Sequence, residues 1–84
     1  MTNNTAIDID DLRETVAQVF EIDPAEVTDD ADFMLDLGAD SLLVLELYLV
    51  FEQQYGIKAT EDEAKESVCL RLTHELLTSK LATQ

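Results

Sequence analysis

The chain has a single cysteine, a single histidine, one proline, two glycines and only five lysines and arginines among its 84 residues. Each shortage excludes something. Cys69 alone cannot form an internal disulfide, which suits a reducing cytoplasm, and it reads as a small buried hydrophobe rather than a reactive thiol. Five cations cannot offset 19 acids, so the formal charge is −14. Such a chain repels nucleic acid and anionic lipid and attracts basic protein surfaces. No basic-plus-apolar leader opens the sequence. The longest apolar stretch, Leu42 to Phe51, is interrupted by Glu46 and falls far below membrane-spanning length. A soluble cytoplasmic protein is expected, with no membrane span and no nucleic-acid partner.

What remains is the material of one small helical domain. Residues 1–84 fit a single core, with the polar residues 1–6 expected to be disordered. A hydrophobic fraction of 46% is too high for a disordered acidic tail. A core of this size leaves little surplus for a rigid, deep active-site cavity, which argues against a free-standing enzyme. Met1 suggests a free-standing protein, and a monomer is expected. No strands, repeats or linkers are evident.

Leu12, Val16, Val19 and Phe20 recur at helical spacing, so a first helix is expected from near Asp10 or Asp11, ending before Pro24. Asp23-Pro24-Ala25-Glu26 has the pattern of a short capped turn: Asp23 as cap, Pro24 at the first position and Glu26 closing a capping box. A long loop follows to Asp40, which Ile22, Val27, Phe33, Leu35 and Leu37 should pin to the core with its carboxylates outward. A second helix is predicted from Ser41 to Tyr55, closed by Gly56 with Ile57 as the apolar contact beyond it. At about 100° per residue, its inward face holds Val44, Leu47, Tyr48, Phe51 and Tyr55. Leu42, Leu45, Leu49 and Glu52 lie on the opposite side with Glu46 beside them. Thr60 and Glu63 form another capping box, so a third helix starts after Thr60. Ser67 could cap a further helix carrying Val68, Cys69, Leu72, Leu76 and Leu77, although one continuous helix over 61–80 fits equally well.

The stretch Asp36-Leu37-Gly38-Ala39-Asp40-Ser41-Leu42 concentrates the chemistry. Gly38 permits a turn that a Cβ would resist, and Asp40 can cap the helix behind it. Ser41 is thereby presented at the positive end of a helix dipole, where a phosphate is favoured. Nothing nearby activates it as a nucleophile. Asp40, Ser41 and His74 supply the residue types of a hydrolytic triad, but the glycine pattern of a nucleophile elbow is missing, and His74 is expected on the solvated face of the last helix. Calcium loops starting at Asp8 or Asp30 both fail. They would place Arg13 or Leu35 where glycine is needed, and Val19 or Ser41 where glutamate is needed. No metal site is expected.

The segment Asp36 to Leu42 resembles the attachment motif of acyl carrier proteins, and the similarity runs through Glu46-Leu47 to Tyr55-Gly56-Ile57 and back through Asp32-Phe33, covering roughly residues 10–81. The resemblance implies an all-α four-helix bundle with a long loop between helices 1 and 2 and a short third helix. It implies a non-catalytic carrier holding acyl groups as thioesters on a 4′-phosphopantetheine arm at Ser41, flanked by Asp40 and Leu42. A phosphopantetheinyl transferase would install that arm from coenzyme A. Partner enzymes such as a ketosynthase and an acyltransferase, with basic docking surfaces, would meet Asp36, Leu45, Glu46, Leu49 and Glu52. Val44, Leu47, Phe51 and Leu76 would shelter an acyl chain or simply form core. Leu43, Gln53 and Gln54 stand where fatty-acid carriers are often acidic, which favours a polyketide or other secondary-metabolite pathway over fatty-acid synthesis. Ala39, where peptidyl carriers commonly have glycine, argues against an aminoacyl cargo. The competing reading is an acidic adaptor for basic proteins that bears no prosthetic group.

Overall fold

A computed structural model describes residues 7–82, so the expected disorder of residues 1–6 lies outside the described residues. The elements in order are α1 (Ile9–Phe20), a 3₁₀ turn (Pro24–Glu26), α2 (Ser41–Tyr55), α3 (Glu61–Glu66) and α4 (Leu70–Ala82), and no strand occurs among the described residues. Helix α1 packs against α2 and α4, and the short α3 packs against α2. The four-helix arrangement with a long first loop and a short third helix is as the resemblance implies, and the continuous helix over 61–80 does not form.

Helix α1 begins slightly ahead of the expected acids because Asp8 is its cap, its carboxylate accepting the Asp10 N–H at 2.8 Å. Its C-terminus turns without glycine. Glu21 takes the left-handed conformation (φ 61°), and Ile22 donates back to the Ala17 carbonyl at 2.9 Å. Leu12, Val16 and Phe20 are buried as expected, with Ala17 beside them and Val19 only half-buried. The Asp23–Glu26 box, the Gly56 cap and the Thr60–Glu63 box all form. In α2, Val44, Leu47, Tyr48 and Phe51 are buried and Tyr55 is half-buried against the core.

Three expectations are corrected. Ser67 does not cap a further helix; it ends α3 with its N–H on the Glu63 carbonyl at 3.1 Å, and α4 starts only at Leu70. The reason is tertiary. The Val68 carbonyl accepts the N–H of Phe33 at 2.7 Å, so the chain must leave helical geometry there. Val68 and Cys69 therefore precede α4, Leu72 faces outward, and Leu70 and Thr73 take the inward places. Second, Leu35 does not pin the loop but is 86% exposed. Asp32 gathers the N–H groups of Met34 and Leu35 on one carboxylate oxygen at 2.8 and 2.9 Å, and this tight turn buries Phe33 while swinging Leu35 out. Asp32 is accordingly half-buried and turned onto its own loop, and Asp29 is turned onto Arg13, whereas Asp23, Glu26, Asp30, Asp36 and Asp40 are exposed as expected. Third, His74 is not solvated on α4. It is half-buried, and its Nε2 donates to the Ile7 carbonyl at 2.7 Å.

A buried polar chain links α2, α4 and the end of α3. The Tyr48 hydroxyl meets Thr73 Oγ1 at 3.3 Å, which reaches the Ser67 carbonyl at 3.4 Å. Burial pushes the Tyr48 phenol above its ordinary value, with the bond to Thr73 opposing that rise.

Candidate functional site

Ser41 is the first residue of α2 and is exposed. Its position is set by the loop before it. Arg13 of α1 donates to Asp29 at 2.9 Å and to the Val27 carbonyl, while Arg71 of α4 pairs with Asp30 and donates its own N–H to the Asp29 carbonyl at 3.0 Å. Phe33, fully buried and edge-on to Phe20 at 5.4 Å, then anchors the next stretch to Val68. The Ala39 N–H returns to the Phe33 carbonyl at 2.9 Å, with Gly38 between them at φ 78°. The backbone is thus tied down two residues before the serine. Asp40 completes the approach: its carboxylate accepts the Leu43 N–H at 2.8 Å and its carbonyl the Val44 N–H at 3.1 Å. The N–H groups of Ser41 and Leu42 have no partner among the described residues, leaving the positive end of a 15-residue helix open beside the hydroxyl.

Ser41 also lines a cleft of about 170 Å³ between the loop, α2 and α3. Phe33, Val44, Leu45, Ala64 and Val68 make it almost wholly apolar, and Lys65 is its one charged lining residue. An exposed hydroxyl, an open helix N-terminus and an adjoining apolar cleft can accept a phosphate-linked group and shelter an apolar substituent carried on it. The residues present fit such an arm.

The remaining predicted residues divide. Leu42 and Leu49 are 73% and 58% exposed, and Glu46 is exposed between them, so an outward ridge exists on α2. Leu45 instead turns into the cleft, half-buried. Glu52 reaches across to accept the Ala59 N–H at 3.2 Å, and Asp36 accepts the Asp32 N–H at 2.8 Å, so both carboxylates serve the fold. Of the four residues expected to shelter a cargo, only Val44 lines the cleft. Leu47 and Phe51 are fully buried in the core, and Leu76 on α4 is half-buried against it. Ser41 and His74 are not brought together as a catalytic pair, since the imidazole is committed to Ile7.

The loop-anchoring arginines, Phe33 and the α3 wall of the cleft were not legible as site residues. Arg13 carried one signal, as the sole cation among the twelve acids of the first 40 residues. Lys65 carried none, because its proximity to Ser41 is made by α3 packing on α2.

A family model described as a phosphopantetheine attachment site matches residues 10–72. The polyketide-8 synthase acyl carrier protein 2 of Streptomyces avermitilis is 52% identical over 80 residues, spanning 95% of this chain and 92% of that protein. An acyl carrier protein of Helicobacter pylori is 37% identical over 59 residues, 70% of this chain and 76% of the relative. Among solved structures, the 3,5-dioxohexyl acyl carrier protein (a triketide mimic) from the actinorhodin polyketide synthase of Streptomyces coelicolor superposes with a TM-score of 0.75 at 26% identity, covering 99% of this chain and 98% of that one.

Proposed function

The chain belongs to the phosphopantetheine-bearing family of acyl carrier proteins, and on that premise we propose that Ser41 is where its prosthetic arm is joined. Carriage of acyl groups, not catalysis, is the family's function, and the adaptor without a prosthetic group is set aside. When bound, 4′-phosphopantetheine supplies a terminal thiol that holds an acyl group as a thioester. The chain's own residues do the rest. Asp40 fixes the helix end, Gly38 and Ala39 set the approach, and Val44 and Leu45 offer an apolar wall next to the attachment oxygen.

One observation carries this reading: the Ser41 side chain is exposed at the first position of α2 and borders an apolar cleft. A phosphopantetheinyl transferase must reach that hydroxyl, and the exposure of Ser41 supports this reading. The similarity to a polyketide synthase carrier over nearly the whole chain, together with Leu43, Gln53 and Gln54 on α2, supports a polyketide pathway. A ketosynthase and an acyltransferase of that synthase would dock on the ridge of Leu42, Glu46 and Leu49. A charge of −14 steers basic-rimmed surfaces there, and the two exposed leucines give short-range affinity. The arm raises the effective concentration of cargo at each partner, so the carrier itself needs no rigid pocket.

The test is intact mass after incubation with a promiscuous phosphopantetheinyl transferase and coenzyme A. Addition of one arm, abolished in Ser41→Ala, is expected. No addition under conditions that load a control carrier overturns the assignment.

A further inference from the structure

Most of the cations of this chain have evident structural tasks. Arg13 and Arg71 hold the loop, and Lys80 of α4 holds Glu63 of α3 at 2.7 Å. Lys65 is different. It lines the same cleft as Ser41, yet its ion-pair partner is Glu61 at 3.8 Å, with both side chains more than half exposed. A pair that long and that wet contributes little, and it leaves the ammonium free to exchange partners. The aliphatic stem of a lysine can lie along an apolar cleft while its head stays in water.

The charges around the attachment point make this placement informative. Asp40 stands immediately before Ser41, Asp36 is four residues earlier, and the whole chain carries −14. A phosphodiester joined to Ser41 adds another negative charge to that surrounding. Two features oppose the resulting repulsion: the N-terminus of α2 and the Lys65 ammonium. The first is common to any capped helix. The second is a specific side chain delivered from α3, and it enters from the side where the apolar cleft lies.

We propose that Lys65 is the counter-ion of the phosphate at Ser41, leaving Glu61 when the arm is in place and turning the arm's first bonds toward the cleft between α2 and α3. This rests on Ser41 being the attachment residue. Lys65 is a positioning residue in this scheme. It pairs with the phosphate and takes no part in the chemistry of the cargo.

Wild type, Lys65→Gln and Lys65→Arg are each loaded with the arm, loading is confirmed by intact mass, and thermal melts are recorded for the unloaded and loaded forms. The quantity read is the loaded-minus-unloaded difference in Tm. Lys65→Gln is expected to reduce that difference by roughly 2–4 °C, and Lys65→Arg to keep it near wild type. Molar salt should remove the distinction between the variants. Loss of the Glu61 pair lowers mainly the unloaded form, so a purely structural role for Lys65 moves the difference in the opposite direction. In spectra of the lysine ammonium groups, the Lys65 signal should shift on loading while those of Lys58 and Lys80 stay. A loaded Lys65→Gln protein with an unchanged Tm difference overturns the counter-ion role and leaves Ser41 as the attachment point. Failure of the wild type to accept an arm where a control carrier does overturns both.

Discussion

Arg71 on α4 grips Asp30 of the first loop with two hydrogen bonds, Nε to Oδ1 at 2.8 Å and Nη2 to Oδ2 at 2.9 Å. The two residues are 41 positions apart, and the backbone N–H of Arg71 holds the neighbouring Asp29 carbonyl as well. One residue thus closes the loop that leads to Ser41 onto the last helix.

That pair has a pH signature. The guanidinium holds the Asp30 carboxyl below its ordinary value of 3.8. A carboxyl depressed by folding contributes stability that is complete above the ordinary value and is lost as pH falls through the depressed one. Glu63, lowered chiefly by Lys80, has the same sign. Arg71→Gln should therefore lower Tm at neutral pH. The gap to wild type should close on acidification below the ordinary Asp30 value of 3.8. Melts followed by circular dichroism across that range check this; a gap constant down to the lowest pH contradicts it.

Gly38 is needed for its conformation alone. Its φ is 78°, and a Cβ added there meets nothing within 4 Å. Gly38→Ala is expected to cost about 1 kcal/mol from the left-handed backbone, and Gly38→Asn less. Urea denaturation measures both. A neutral alanine variant would mean the turn relaxes at no cost.

The exposed and buried leucines should separate cleanly. Leu47 is fully buried, so Leu47→Ala should lose about 2–5 kcal/mol. Leu35 is 86% exposed, so Leu35→Ala should stay within about 0.5 kcal/mol of wild type. A large loss at Leu35 in the same urea titrations would place its side chain inside.

Self-repulsion should be measurable. With 19 acids against five bases, moderate salt or magnesium is expected to raise Tm. An unchanged melting curve between low and moderate salt refutes this.

The sequence told most where the determinants are local. Asp40, Gly56, the Asp23–Glu26 box and the Thr60–Glu63 box mark element ends because each satisfies backbone groups within a few residues. The inward face of α2 follows from its period. The attachment motif was legible for the same reason, as a contiguous run. What it hid depends on distant partners. The break between α3 and α4 is imposed by Phe33 bonding to Val68, with no glycine or proline to announce it. Leu35 looked like core because apolar residues alternate through the loop, and only the Asp32 turn shows which of them faces in. His74 was read as solvated because no local pattern points to Ile7, 67 residues away.

The carboxylate of Asp40 is occupied with holding the start of α2, and that decides how a binding surface can be mapped by mutagenesis. Replacing it unravels the helix end on which Ser41 stands, so slower loading of such a variant reports a frayed scaffold as readily as a missing handshake. Glu52 and Asp36 mislead in the same way. Glu46, exposed between two exposed leucines, is the acid at which charge reversal interrogates recognition by itself.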